Sequence, residues 1–492
     1  WLGAWKPREV KSQGPEWRLA QGRVIRLGAE SDFEAGHAVR IEGRPALWMA
    51  DRRFEYSSGW VGLSMIDRRS GRPEWAMPLS SNGVVFDEAT LEATVDGSIV
   101  AVCSRGMLQV CSPGDRRLLW SWPLPARFAA TSAYQWAEEH LSNPPAQTSA
   151  VAVNDFQLNV GNLRIGSLMA IAGERLALLG QHELVVFDLR TGEEQWRRGG
   201  IAASSVIVAD EQRICVSATA NGGPAAFRLV DGKRLESASM QGVFARAFAA
   251  EGDRLLTRQG LPRLLSSGVR LVAERPFNGE SVWSHAVNAE AVIRRLPGRE
   301  LGVVEPTGDV FVIDIETGRR TNVGRLAQEQ MTGRRAIHLL SDAERVYVVV
   351  QRQQAYEFSN ISIPSITING ELAAFDRKQG RMIWRERVRG LSLLTSGLAD
   401  SPVVMLVEHG VPERRRKALD LLHLPELKLT ALDKATGAHV VEWSGTTPHG
   451  APGAMLIDPL RQRIDLLLTT YNQNASERLR LQFGASSPTS VP

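Results

Sequence analysis

Cysteine, lysine and long apolar runs are scarce in this sequence, and each shortage excludes a class of protein. Three cysteines among 492 residues, an odd number, argue against a complete disulfide framework. No apolar run approaches the ~20 residues that a transmembrane helix needs, so an integral helical membrane protein is excluded. Lysine occurs seven times, the net charge is only +4, and residues 414–417 form one short basic run. A nucleic-acid partner needs a longer basic stripe, so we expect none.

Catalytic motifs are missing as well. The sequence contains no Gly-x-Ser-x-Gly nucleophile elbow, no phosphate-binding loop that ends in Gly-Lys-Ser/Thr and no His-Glu-x-x-His zinc helix. Its nine histidines are scattered, and no group of carboxylates has the spacing of a dedicated calcium loop. We therefore predict no catalytic residue and no metal site.

Two of the cysteines flank a predicted hairpin, CSRGMLQVC. If residues 105–106 form its turn, Cys103 lies opposite Leu108, and Cys111 falls on the other face because side chains alternate along a strand. A disulfide between these two cysteines is geometrically unfavourable. We interpret Cys103, Cys111 and Cys215 as buried, unreactive thiols.

A short pattern recurs along the chain. It consists of an apolar strand that ends in Asp, a Gly four residues later and a Trp four residues after that. Some copies keep this spacing, and others have lost the Asp or the Trp; the weakest combines Gly114 with Trp120. The positions to which we assign a structural role in the repeat are Asp67, Gly71, Trp75, Asp188, Gly192, Trp196, Gly279, Trp283, Asp314, Gly318, Asp376, Gly380, Trp384, Asp433 and Gly437.

Each residue type of the pattern has a local physical role. The Asp side chain accepts hydrogen bonds from backbone N–H groups further along the turn. The Gly supplies the positive φ that a tight hairpin requires. The Trp begins the next strand and buries a large flat surface, which we interpret as packing between repeats rather than as the floor of a cofactor site. One hairpin cannot bury both its faces, whereas units stacked around an axis bury each other, as in a β-propeller.

The spacing of the pattern indicates how many units the chain contains. Intervals of ~40 residues between successive glycines match one four-stranded blade. We interpret the longer interval from Gly114 to Gly192 as a blade plus an insert, with a helix-like stretch at residues 129–141. Residues 451–483 add three apolar runs, and residues 15–19 could supply a fourth strand. We predict an all-β propeller of eight blades, each of four antiparallel strands, with short helical inserts; nine blades is the alternative.

The repeat resembles the PQQ-like, or quinoprotein-type, β-propeller repeat. The copy with Asp188, Thr191, Gly192 and Trp196 carries the resemblance best, and it extends over residues 38–483. The resemblance implies one of three roles: a quinone-dependent dehydrogenase, an assembly lipoprotein like BamB, or a propeller segment of a long bacterial protein. Quinone enzymes of this type use a ring of two adjacent cysteines, a Trp floor and a Ca²⁺ ion. Because this sequence has no adjacent cysteine pair, we expect no cofactor.

We divide the chain into an N-terminal arm at residues 1–30 that contributes a closing strand, a β-propeller at residues 31–483 and a C-terminal tail at residues 484–492. The chain begins with Trp1, and residues 1–20 lack the continuous apolar core of a signal peptide. We expect a cleaved leader or a further domain before Trp1, and the sequence does not choose between them. The resemblance implies a bacterial cell envelope or periplasmic location.

The function that we predict is a non-catalytic protein-interaction scaffold; the alternative is a divergent PQQ- or metal-dependent oxidoreductase. We expect one or more unidentified proteins as partners, no nucleic acid, and at most peripheral association with a membrane. Partners of a scaffold bind at loops and inserts that depart from the minimal blade. The candidate partner-binding residues are Trp1, Trp5, Trp136, Tyr356, Arg414, Arg415, Leu421 and Leu422.

Each candidate region also has a purely structural interpretation. The N-terminal arm is a docking segment or a linker, and the short helix around Trp136 is a binding face or a cap packed on the propeller. Residues 351–370 form a protruding hairpin or lengthened strands within a blade. Residues 409–428 form a basic and then apolar helix, which binds an acidic protein or an anionic membrane, or packs its apolar side on the propeller.

Overall fold

The computed structural model describes the chain in segments separated by gaps. These are residues 19, 23–28, 39–41, 46–48, 52–57, 62–67, 73–79, 89–94, 97–104, 107–124, 159–160, 163–164, 169–180, 182–202, 205, 207–235, 247–251, 254–260, 268–275, 277, 279–296, 299–353, 365–395, 397–398, 401–410, 426–446, 451–458, 461–469 and 475–483. Within them the regular elements are strands, apart from one helix of four residues, α1 (Gln328–Met331). None of the described helical residues forms a segment long and apolar enough to cross a bilayer.

The strands follow one another closely along the chain. Those before residue 236 are β1 (Arg23–Gly28), β2 (Val39–Ile41), β3 (Ala46–Trp48), β4 (Arg52–Ser57), β5 (Gly62–Asp67), β6 (Pro73–Pro78), β7 (Ala89–Ala93), β8 (Val100–Ser104), β9 (Met107–Ser112), β10 (Arg117–Pro123), β11 (Asn159–Val160), β12 (Leu163–Arg164), β13 (Met169–Ala172), β14 (Arg175–Leu179), β15 (Glu183–Asp188), β16 (Glu194–Gly199), β17 (Ile207–Ala209), β18 (Arg213–Val216), β19 (Ala225–Arg228) and β20 (Arg234–Leu235). Those after it are β21 (Ala247–Glu251), β22 (Arg254–Gly260), β23 (Gly268–Glu274), β24 (Ser281–Asn288), β25 (Val292–Leu296), β26 (Glu300–Val304), β27 (Asp309–Asp314), β28 (Arg320–Arg325), β29 (Ala336–Ser341), β30 (Arg345–Gln351), β31 (Ser365–Asp376), β32 (Arg381–Leu394), β33 (Val403–Gly410), β34 (Glu426–Asp433), β35 (His439–Thr446), β36 (Ala451–Asp458), β37 (Arg463–Thr469) and β38 (Ala475–Gln482).

Most strands belong to four-stranded antiparallel sheets made of consecutive segments. Such sheets are β3–β6, β7–β10, β13–β16, β17–β20, β21–β24 and β25–β28, and β11 pairs with β12. Strands β29–β35 form one seven-stranded sheet, and β1, β38, β37, β36 and β2 form a five-stranded sheet in that order. The predicted all-β fold with four antiparallel strands in a unit is confirmed. The number of blades stays a prediction.

The third strand of a unit shows why the sheets stack on each other. In β15 the consecutive residues Leu184, Val185, Val186 and Phe187 are all buried. Leu184 and Val186 pack with strands β17–β19, whereas Val185 and Phe187 pack with β8 and β9 on the other side. A strand covered on both faces has a continuous apolar run instead of an alternating pattern. Successive sheets therefore bury each other face to face.

The first strands of neighbouring sheets lie close to one another. Strand β7 contacts β3 and β13, strand β17 contacts β13 and β21, and β25 contacts β29. Side-by-side first strands are the arrangement expected where blades are placed around a common axis.

Strands from the two ends of the described chain share a sheet. Strand β1 pairs with β38 over six residues, from Arg23 opposite Gln482 to Gly28 opposite Glu477. Val24 and Leu19 pack against the apolar cluster of the C-terminal strands. The N-terminal strand that joins the C-terminal sheet is thus residues 23–28. Of the stretch at residues 15–19 that was expected to supply it, residues 15–18 lie outside the described residues. The division of the chain into arm, propeller and tail stays a prediction.

Two unusually long strands join what would otherwise be separate sheets. The last part of β32 pairs with the beginning of β31 on one side and with β33 on the other. Gly390 has a φ of +69° at an irregularity in the pairing of β31 with β32, where the register shifts between Ile368 and Asn369. Within the insert at residues 351–370, residues 365–369 are therefore part of a lengthened strand, and residues 354–364 lie outside the described residues.

Candidate functional site

The structure does not place the predicted partner-binding residues. Trp1, Trp5, Trp136, Tyr356, Arg414, Arg415, Leu421 and Leu422 all lie outside the described residues. Their proposed role therefore stays a prediction. The described part of the chain contains the repeat turns, the contacts between sheets and one shallow depression.

The repeat turns have the predicted type of aspartate geometry. Oδ1 of Asp188 accepts the backbone N–H groups of Arg190 and Thr191 at 3.0 and 2.9 Å, and Oδ2 accepts Arg175 at 2.9 Å. Partial burial opposes ionisation of Asp188, but these N–H donors and the Arg175 guanidinium outweigh it and hold the pKa of the carboxyl below its usual range. Asp314, Asp376 and Asp433 accept turn N–H groups in the same way.

Tryptophans of one repeat unit lie on glycines of the next unit. The Trp196 indole is buried, and its Nε1–H donates to the carbonyl oxygen of Leu229 at 2.8 Å. A Cβ atom on Gly232 would lie 2.6 Å from the same ring. We call this arrangement the Trp–Gly contact. It joins Trp120 to Leu189 and Gly192, Trp196 to Leu229 and Gly232, Trp283 to Ile315 and Gly318, and Trp384 to Lys434 and Gly437.

The glycine of the repeat is thus needed for two reasons: the positive φ of the turn and the close approach of a tryptophan. The sequence predicted only the first. The close approach of a tryptophan more than thirty residues earlier depends on how sheets stack. Among the described residues, none lies within 4 Å of the Cβ position of Gly279, so that contact is not seen there. The preceding copy has Glu236 at the position where the copies before Gly192, Gly232, Gly318 and Gly437 have tryptophan.

One repeat position was predicted wrongly. Gly114 was taken as the turn glycine of the weakest copy, but it does not have a positive φ. Trp120 lies opposite Val110 just as Trp196 lies opposite Val186, and this register makes Arg116, with a φ of +53°, the equivalent of Gly192. The other repeat residues near the N-terminus are less fully described: Asp67 and Trp75 lie in β5 and β6, and Gly71 lies outside the described residues.

An ion pair takes the place of an apolar side chain at one position in two repeat units, and one of these pairs is buried. Lys434 follows the turn aspartate at the position that Leu189, Leu229 and Ile315 occupy elsewhere. Its Nζ lies 3.0 Å from Oδ2 of Asp342, and both side chains are almost inaccessible to solvent. Nζ of Lys434 also donates to the carbonyl oxygen of Leu398.

The partners of Asp342 keep its carboxylate charged. Burial opposes its ionisation, but Lys434, the N–H of Glu344 and the hydroxyl of Tyr347, which donates at 2.8 Å, hold the pKa of Asp342 below its usual range. Burial and the Asp342 charge in turn raise the pKa of Tyr347. In the unit before, Arg377 occupies the same repeat position as Lys434 and binds Glu300.

A shallow depression lies where β25 and β29 begin. It has a volume of about 320 Å³ and is bordered by residues 333–337, which lead from α1 into β29, with Val292 and Met331. Ligand pockets have volumes of ~300–1,000 Å³, so this depression is at the small end of that range. Its two charged residues are Arg334 and Arg335. Sequence reasoning missed it, because Arg334-Arg335 is one of many arginine pairs in this sequence.

The positions of the cysteines differ from the adjacent pair that lines a quinone site in the family that the sequence resembles. Cys103 lies opposite Leu108 and Cys111 opposite Val100, which confirms the predicted register. None of the three cysteines forms a disulfide, and burial raises the pKa of Cys103 and Cys111 to about 12. Cys215 lies in β18, in another sheet. These residues do not fit the ring of adjacent cysteines. In the described segments, no three His, Cys, Asp or Glu side chains form a group that could hold a metal ion.

Comparison with known proteins points to one type of repeat. A family model described as outer membrane protein assembly factor BamB matches residues 225–392. Among curated proteins, no sequence matches this chain.

Several solved structures are similar at low identity. BamB from Moraxella catarrhalis is 14% identical, with 95% of this chain and 98% of that chain covered and a TM-score of 0.32. Quinohemoprotein alcohol dehydrogenase from Comamonas testosteroni is 12% identical, with 96% and 78% covered and a TM-score of 0.33. Apo AztD from Citrobacter koseri is 11% identical, with 86% and 97% covered and a TM-score of 0.34. Likenesses at these TM-scores carry no argument about function. The matched family model and the recurring four-stranded sheets identify the fold of this chain as a PQQ-like β-propeller.

Proposed function

We propose that this chain is a non-catalytic protein-interaction scaffold. The observation that carries the proposal is the Trp–Gly contact, which recurs between successive repeat units at Trp120, Trp196, Trp283 and Trp384. These four tryptophans hold one unit against the next, and each indole N–H is bound to a backbone carbonyl. A frame fixed in this way keeps surface loops in constant relative positions, which suits a protein that presents binding surfaces.

The family model supports the same proposal. It describes an assembly factor, and a factor of this kind acts by binding other proteins. We extend the proposal to a location in the bacterial cell envelope and to partner proteins that bind at loops and inserts. Peripheral contact with a membrane is compatible with it.

Native mass spectrometry of the chain purified from its source tests the proposal. We expect the mass of the polypeptide alone, or of the polypeptide with a second protein. The same sample, incubated with pyrroloquinoline quinone and Ca²⁺, should gain no mass and should not reduce an artificial electron acceptor in the presence of alcohols or sugars. An added quinone mass together with dye reduction would contradict the scaffold and favour the oxidoreductase.

A further inference from the structure

The depression between β25 and β29 has positively charged side chains at its border. Arg334 and Arg335 border it, and among the described residues neither guanidinium takes part in an ion pair. Arg334 donates to the carbonyl oxygen of Met331 at 3.2 Å, which holds its side chain at the border. Arg335 is exposed, and its backbone N–H is bound to Gln351. Two arginines at one border are suited to carboxylates, which guanidinium groups bind through paired N–H donors.

The neighbouring acidic residues already have partners. Glu371 accepts Gln330 at 2.8 Å and Arg352 at 3.0 Å, and Glu329 lies 3.7 Å from Arg385. These carboxylates therefore have cations of their own. Within the described segments, no carboxylate forms an ion pair with the two arginines at the border of the depression, which suits them to bind an acid from another molecule.

A positive charge on β25 also acts on a histidine of β29. Burial, followed by the positive charge of Arg294 on β25, lowers the pKa of His338 on β29 to about 4. Arg294 is exposed and lies two residues along β25 from Val292, which borders the depression. Positive charge thus extends beyond the two bordering arginines.

The depression has space for an incoming chain. A Cβ atom built on Gly333 would meet nothing within 4 Å, and Ala336 is exposed. The floor is apolar, since Met331 and Ile337 are buried and Val292 is half-buried. A peptide could place an apolar side chain over this floor while its neighbouring carboxylates reach the arginines.

We infer that this depression is a docking site for an acidic peptide segment of a partner protein, whose side-chain carboxylates bind Arg334 and Arg335. The inference rests on the proposed scaffold function and names the chemistry of one partner. Recognition by arginine forks combines charge with geometry, so lysine would not replace arginine fully at these positions.

Fluorescence anisotropy with labelled peptides tests the inference. The probe is a peptide of alternating Glu and Leu with an amidated C-terminus, so that only side-chain carboxylates are present, and its counterpart has Gln in place of Glu. We expect the full chain to bind the Glu peptide at least tenfold more tightly than the Gln peptide. The double variant Arg334→Gln/Arg335→Gln should lose at least tenfold in affinity for the Glu peptide.

Two further variants separate the depression from general charge. Arg116→Gln/Arg117→Gln removes the same charge from the exposed turn between β9 and β10, and it should bind like the unchanged chain. Ala336→Trp keeps both arginines but fills the depression, and it should lose at least tenfold. Circular dichroism of each variant checks that the fold is retained.

Equal affinity of the unchanged chain and Arg334→Gln/Arg335→Gln for the Glu peptide would overturn the inference, and so would equal losses in the two double variants. If these tests fail while native mass spectrometry shows a bound partner protein, the inference of a docking site is wrong and the proposed scaffold function is retained. If the chain binds the Glu peptide but holds a quinone, the scaffold is wrong and the docking site stands.

Discussion

At the scale of single residues, the repeat glycine combines a positive φ with a close tryptophan neighbour. Gly232 and Gly279 allow the effects of these two features to be measured separately. Gly232 and Gly279 have φ values of +65° and +66°. A Cβ on Gly232 would lie 2.6 Å from Trp196, whereas no described residue lies within 4 Å of a Cβ on Gly279. Left-handed backbone costs ~1–2 kcal/mol for a residue with a Cβ, and overpacking adds ~1–3 kcal/mol.

We predict that Gly232→Ala lowers the free energy of unfolding by ~1–3 kcal/mol more than Gly279→Ala does, because only the first variant pays for overpacking. Urea denaturation of both variants measures the difference. Equal losses would show that Trp196 moves aside at no cost, contrary to a tight Trp–Gly contact.

The buried pair of Asp342 and Lys434 is the second prediction at this scale. Lys434→Met alone should lower the free energy of unfolding by ~3–5 kcal/mol, because it leaves a buried carboxylate without its cation. Asp342→Asn keeps the oxygen that accepts the N–H groups of Glu344 and Arg345. The double variant Asp342→Asn/Lys434→Met should therefore be more stable than Lys434→Met, which a double-mutant cycle measures.

The same pair predicts a dependence on pH. The pKa of Asp342 is lower in the folded than in the unfolded chain, so the unfolded chain takes up this proton first as the pH falls. The stabilisation is present above the unfolded pKa of ~4 and is lost as the pH falls through the folded value. Urea denaturation at a series of pH values below 5 should show a weaker loss of stability in the double variant than in the unchanged chain. Identical slopes would contradict this role of Asp342.

At the scale of elements, the long strands β31 and β32 depend on a close approach at Gly370. A Cβ atom there would overlap the carbonyl oxygen of Val350 on the neighbouring strand β30. Gly199, in β16, is a matched control, because it has no positive φ and nothing within 4 Å of its Cβ position.

We predict that Gly370→Ala lowers the free energy of unfolding by ~1–3 kcal/mol and speeds hydrogen exchange of the amides in β30 and β31, since the two strands must separate. Gly199→Ala should leave both quantities nearly unchanged. Hydrogen exchange followed by mass spectrometry measures the local effect. Normal protection of β30 in Gly370→Ala would be evidence against the close approach.

At the scale of the whole molecule, the sheet that unites β1 with β36–β38 ties the N-terminal part of the chain to its C-terminal part. Removal of residues 1–28 takes away one of the two strands that pair with β38 and leaves the backbone groups on that edge unpaired. We predict a lower denaturation midpoint and concentration-dependent association, because an open strand edge pairs with other chains.

Size-exclusion chromatography and urea denaturation measure the effect of this truncation. A chain that lacks residues 484–492 serves as the control and should behave like the full chain, since the strands that pair with β1 end before that tail. A truncated chain that stays monomeric with an unchanged midpoint would contradict a structural role of β1.

Local chemistry explains how much the sequence reveals. The alternation of apolar residues, the turn aspartates and the glycines act within a few residues of each other, so the four-stranded units and the PQQ-like repeat could be recognised from the sequence. The misassigned Gly114 marks the limit of this reasoning, because Arg116 adopts positive φ there and no glycine signals it. The depression beside Arg334 could not be found in this way, since it needs β25 and β29 side by side.

The sequence by itself determined the all-β fold, the repeating unit and the turn chemistry, because hydrogen bonds and φ angles in a hairpin depend on neighbouring residues. Only the tertiary structure decided which tryptophan covers which glycine, that Lys434 is buried against Asp342, and that β1 joins the C-terminal sheet. Those contacts join residues far apart in the chain, and their energies depend on how the sheets stack, which no local pattern encodes.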